Sequence, residues 1–149
     1  MALGNVSLEF CRLPHAGNRY ADIPHYGCLI EYDGSRILIA GDCEIAAPEL
    51  GPFLAGRKID LAVLNFPWIT LQRGRECIEQ ILKPAHLLIW HLPTQEDDRG
   101  QFRAAAMRCA ELLKSIPDVR INLDPFQEEF FLFDSPVKGP SSSRKSAAD

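Results

Sequence analysis

Apolar and polar residues alternate loosely along Val6–Leu13 (VSLEFCRL), the period of a strand. After a polar loop from Pro14 to about His25, two β-rich runs, Tyr26–Tyr32 and Arg36–Ala40, flank Asp33-Gly34. A DG link between two such runs predicts a hairpin, because glycine readily takes the positive φ that tight primed turns demand. The second run stops abruptly in Gly41-Asp42-Cys43. Downstream, alternation gives way to unbroken apolar runs, Asp60–Phe66 (DLAVLNF) and Leu87–Trp90 (LLIW). Runs of that length predict strands covered on both faces.

Helical spacing fills the intervals. Pro48–Leu54 has proline at its start and Gly56 beyond its end, which suits a short helix. Leu71, Cys77, Ile78, Ile81 and Leu82 place a helix over Leu71–Lys83, stopped by Pro84. Between Gly100 and Ile116, Phe102, Ala105, Ala106, Cys109, Leu112, Leu113 and Ile116 form one apolar stripe. Val119–Leu123 and Glu129–Phe133 read as two last strands. A hairpin followed by strands alternating with helices predicts an α/β domain, a mixed β-sheet with helices packed on it, over residues 1–134. Residues 135–149 (SPVKGPSSSRKSAAD) have no apolar period and are expected to be a disordered tail.

Composition narrows the function classes. The 149 residues carry a formal net charge of -4, and Lys138, Arg144 and Lys145 form the only basic cluster, in the tail. Such a chain has no electrostatic footprint for nucleic acid or an anionic membrane. No run reaches the ~18–20 apolar residues of a membrane span, and the N-terminus lacks the pattern of a signal peptide. Cys11, Cys28, Cys43, Cys77 and Cys109 are odd in number, without zinc-finger spacing. They fit free thiols in a reducing, cytoplasmic compartment.

Three side chains follow predicted strands: His15, Asp42 and His91. Ligand sites of open α/β sheets lie beyond the carboxyl ends of strands, and imidazole with carboxylate suits Zn²⁺. Each also has a plainer reading. His15 is a loop histidine, Asp42 a turn or cap residue, and His91 a satisfied histidine at a strand end. Trp68, after a strand, lines a cleft or covers apolar surface.

The order of segments adds a resemblance. GCLIEYDGSRILIAGDC resembles the stretch of metallo-β-lactamase-fold proteins in which a glycine-led strand, a turn and a second strand end in Gly-Asp-Thr or Gly-Asp-Ser. KIDLAVLNF resembles the family's next strand, ILKPAHLLIWHLP its helix–Pro–strand–His segment, and LEFCRLPHAG the strand before its middle histidine. Over roughly residues 6–134 the chain is similar to the C-terminal half of that hydrolase superfamily, most closely its UlaG-like and beta-lactamase-superfamily members. The resemblance implies half of an αββα sandwich, with His15, Asp42 and His91 as metal ligands. His25 competes with His15 but lies only two residues before the strand's glycine.

The family's His-x-His-x-Asp-His signature has no counterpart among His15, His25, His86 and His91. The N-terminal half-sandwich expected before residue 6 is missing too. In the family the later ligands are divided between two metals, so Zn²⁺ is expected to be held weakly, by an incomplete site. No residue is assigned a catalytic role, and catalysis by this chain alone is not expected. A half-sandwich also leaves an apolar sheet face bare. The ways to cover it are a homodimer or a separately encoded N-terminal half. The alternatives are a truncated product that barely folds, or a non-catalytic remnant or interaction module that pairs through that face.

Overall fold

The runs around Asp33-Gly34 form the expected hairpin. In a computed structural model, which describes residues 6–20, 22–124 and 127–133, β2 (His25–Tyr32) pairs antiparallel with β3 (Ser35–Gly41), Tyr32 opposite Ser35. Asp33 and Gly34 both take positive φ, 51° and 84°, as a turn that follows the strand twist requires. On the other side of β2, β1 (Val6–Leu13) pairs antiparallel along its whole length. From β3 onward the sheet is parallel: β4 (Leu61–Asn65), β5 (His86–Trp90) and β6 (Asp118–Ile121) join in sequence, giving the order β1-β2-β3-β4-β5-β6.

That sequential order decides where the helices go. Parallel strands laid down always in one direction, with right-handed crossovers, put every connection on the same side of the sheet. The connections are α1 (Leu50–Leu54), α2 (Pro67–Thr70), α3 (Gln72–Cys77) with a π-helical turn at Ile78–Leu82, and α4 (Phe102–Ala110). Leu50, Trp68, Ile69 and Ile78 share one core with the sheet residues Leu29, Leu38, Leu64, Leu87 and Ile89, and all nine are buried. Trp68 therefore covers apolar surface and lines no cleft. The opposite face carries Cys28, Ile30, Ile37, Ile39, Val63 and Leu88, which are only half-buried. At its edge Leu8 and Phe10 are 54% and 64% exposed. On that second face cover is partial: in β4 Leu61 and Asn65 are buried and Val63 half-buried, while in β5 Leu88 is half-buried and Trp90 exposed, where full cover of both faces was expected.

Three expectations change. Glu129–Phe133 is not a strand: no ladder pairs it, and side chains hold it instead. The Arg120 guanidinium bonds Glu129 and the carbonyl of Phe130 and lies 4.5 Å from the Phe131 ring centroid. The helix expected over Leu71–Lys83 begins at Gln72 and ends in the π turn, closed by Lys83 in left-handed geometry. The helix expected from Gly100 to Ile116 runs only from Phe102 to Ala110. Asp98 caps its start through the amides of Phe102 and Arg103, while Leu113 and Ile116 stay buried in the turns after its end. Residues 135–149 lie outside the described residues. Among the described residues no helix is long and apolar enough to cross a membrane.

Candidate functional site

The strand directions gather one set of polar residues at a single edge of the sheet. β1 runs with β3, so the ends of β1, β3, β4 and β5 and the start of β2 all lie there. His15 follows β1, His25 opens β2, Asp42 follows β3, Asn65 ends β4 and His91 follows β5. The C-terminal ends of three adjacent parallel strands thus present Asp42, Asn65 and His91 side by side.

Of the three residues picked from the sequence, two meet. His91 Nδ1 lies 2.8 Å from Asp42 Oδ1, and because a carboxylate only accepts, Nδ1 carries the proton and donates. His91 holds a left-handed backbone, φ 60°, which few side chains other than Asn, Asp or His adopt readily. Asn65 Nδ2 donates to the same carboxylate oxygen at 3.3 Å. Burial pushes the Asp42 carboxyl up, but the bonds from His91 and Asn65 and the charge of His91 and His15 outweigh it, so its pKa lies below the ordinary value.

His15 stands one step away. It bridges Cys43 across an antiparallel contact secured by Ala16 N to Asp42 O at 2.8 Å and Glu44 N to Pro14 O at 2.7 Å. Its own Nδ1 donates to the carbonyl of Ala16 at 2.9 Å. His15 lines a hollow with Arg12, Ile23 and Glu49. The depression of about 400 Å³ beside Asp42 and His91 is lined instead by His25, Gly41 and Trp90.

Asn65 is the residue the sequence did not single out, and His25, ranked behind His15 in the sequence, lines the depression beside Asp42 and His91. The His25 ring lies against Gly41, where a Cβ would meet its Cε1 at 2.7 Å, and its Nε2 donates to Ala40 O at 2.9 Å. Gly41 takes φ 59°, so the turn that delivers Asp42 needs glycine both for its backbone and for the ring beside it. His25 also meets the His15 ring edge-on, with centroids 5.5 Å apart. A polar residue closing the otherwise apolar run of β4 was the signal for Asn65.

The donor chemistry suits a divalent metal in part. Nδ1 of His15 and His91 and Nε2 of His25 are each given to an oxygen, and among the described residues the opposite ring nitrogens have no hydrogen-bond partner. Oriented imidazoles of this kind are typical of metal ligands. Yet among the described residues no three His, Cys, Asp or Glu side chains are grouped so as to hold one ion. The residues present do not complete a three-ligand centre. Cys43, next to Asp42, is buried and its thiol is pushed up to about 12 by desolvation first and the nearby Glu44 charge second, which leaves it protonated and inert.

No protein-family model and no curated protein sequence matches the chain. Among solved structures it is similar to the metallo-β-lactamase-fold protein YhfI from Bacillus subtilis, with 15% identity and a TM-score of 0.53 over 83% of this chain and 48% of that one. It is also similar to a point mutant of the CmlA β-hydroxylase, with 16% identity and a TM-score of 0.52 over 78% of this chain and 30% of that one. At these identities the likeness is one of fold. The chain has the fold of part of a metallo-β-lactamase-fold protein and spans less than half the length of either structure.

Proposed function

We propose that this chain is the later half of a metal-dependent, hydrolase-type domain of the metallo-β-lactamase fold, not competent for catalysis by itself. His15, Asp42 and His91 bind Zn²⁺ weakly, as an incomplete ligand set. The observation that carries the reading is the His91–Asp42 contact at the carboxyl ends of adjacent parallel strands, with His15 one bridge away. The chain's own part is to hold imidazole nitrogens and a carboxylate at the sheet edge. The remaining ligands come from whatever covers the open sheet face, an N-terminal half of the domain or a second copy. Five unpaired cysteines support a cytoplasmic setting.

Zinc titration of the purified chain, with His91→Ala and Asp42→Ala alongside, tests the site. Weak binding lost in both variants is expected. Binding that survives both substitutions, or no binding at any zinc concentration, overturns the ligand assignment.

One observation favours a second reading, a non-catalytic module that pairs through its sheet. The half-buried row Cys28, Ile30, Ile37, Ile39, Val63 and Leu88 runs across neighbouring strands as a continuous apolar surface, with no helix on it among the described residues. Sedimentation separates the two: association without zinc supports the module, and a stable monomer at high concentration removes that support.

A further inference from the structure

Asn65 closes β4 in the middle of the sheet, between the turn that carries Asp42 and the strand that precedes His91. Among the described residues it is the one buried side chain of polar type, 5% exposed. A leucine there would continue the apolar run of β4 without desolvating any polar atom. The amide brings two N–H donors and a carbonyl into the interior, and burying them unpaired lowers stability. Its carbonyl Oδ1 is buried and has no partner among the described residues, while Nδ2 donates to Asp42 Oδ1. The neighbour fixes the orientation of the amide, since turning it round would set its carbonyl oxygen against the carboxylate.

Asp42 Oδ1 thus accepts from two sides, Asn65 Nδ2 from within the sheet and His91 Nδ1 from its rim. Side chains at 41% and 62% exposure, as Asp42 and His91 are, would otherwise sample several rotamers in water. The buried amide is the rigid member of the three. We propose that Asn65 is a positioning residue that holds the Asp42 carboxylate in the orientation that makes His91 the Nδ1–H tautomer with Nε2 bare. The inference rests on Asp42 and His91 forming one centre, and it does not require a bound metal. Asp42 then acts on His91 through a hydrogen bond from behind the ring, the carboxylate–imidazole arrangement that orients histidine ligands.

Nitrogen-15 NMR of the imidazole rings in the metal-free full chain reads the tautomer directly. His91 in the wild type is expected to be protonated at Nδ1. In Asn65→Leu the ring is expected to shift toward the Nε2–H form of free imidazole, while the thermal midpoint is unchanged or higher. A folded Asn65→Leu variant with an unaltered His91 signal overturns the proposal.

Should that variant not fold, the wild type carries the test. One Asn65 side-chain amide proton is expected downfield and slow to exchange, and it should lose both properties in Asp42→Ala, a substitution at a half-exposed site. An Asn65 amide indifferent to Asp42→Ala overturns the proposal equally. Zinc added to the same samples separates this inference from the proposed function. If zinc leaves the His91 signals unmoved, the metal reading fails and the role of Asn65 stands or falls on the tautomer alone.

Discussion

The strand β5 carries a histidine–aspartate pair at each end, and the two pairs share the same geometry. His86 Nδ1 lies 2.8 Å from Asp118 Oδ2, and His91 Nδ1 lies 2.8 Å from Asp42 Oδ1. Their surroundings are opposite. Asp118 is gripped by the Arg120 guanidinium through both carboxylate oxygens, and the His86 ring meets Phe131 and Phe133 edge-on, with centroids 5.4 and 6.0 Å away. That pair is a clasp: it ties residues 127–133 to the end of the sheet. Asp42 is held by a single buried amide, and its partner His91 is 62% exposed on a left-handed backbone beside an open depression. A distance alone does not tell a structural pair from a functional one. Whether the second imidazole nitrogen is covered, and what else holds the carboxylate, does.

The two pairs are expected to differ most in what they contribute to stability. Asp118→Ala leaves Arg120 and His86 without their shared acceptor, at an expected cost of about 2 kcal/mol in urea unfolding. Asp42→Ala is expected to cost under about 1 kcal/mol, because exposed pairs contribute little. Equal losses in the two variants would erase the distinction drawn here.

Acid sharpens it next. The Arg120 bonds first, then that of His86, hold Asp118 below its ordinary value against the opposing effect of burial. A carboxylate with a lowered folded pKa contributes stability that is complete above the unfolded value of about 3.9 and is lost as pH falls through the folded value. Unfolding followed downward from pH about 5 should therefore show a shallower decline in Asp118→Asn than in the wild type. Asp42→Asn should change the slope in the same direction and by less.

The smallest effect is expected at His91 itself. His91→Gly relieves the left-handed backbone and should leave stability within about 1 kcal/mol of the wild type, or raise it. The same variant should abolish any zinc binding at the sheet edge. A large loss of stability in His91→Gly would mean that this pair, too, is structural.

Much of the architecture was legible in the chain. β1 coincides with the expected Val6–Leu13 run, and the Asp33-Gly34 link gives the hairpin, because both signals are local: a period of two and a residue tolerant of positive φ. Glu129–Phe133 has the same β-like composition and forms no strand. Strand identity needs a partner edge, and here an arginine and its stacked ring hold the segment instead. Of the site, Asp42 and His91 were found from their places after strands. Asn65 was missed, and His25 was ranked behind His15, because their contacts are with neighbours 23 and 15 residues away in sequence.

Local periodicity and turn chemistry were enough for the hairpin, the central strands, the helix-bearing connections and the residues that end the strands. Only the tertiary structure decided the rest. The sequential parallel order put every described helix on one face and left the other only partly covered, by the segment 127–133 over His86 and Arg120, where the unbroken apolar runs suggested full cover. It also brought Asp42, Asn65 and His91 from three strands to one edge, and it turned two identical His–Asp contacts into a closed clasp and an open centre. The physical reason is that pairing, burial and solvent access are properties of neighbours in space, and β topology sets those neighbours.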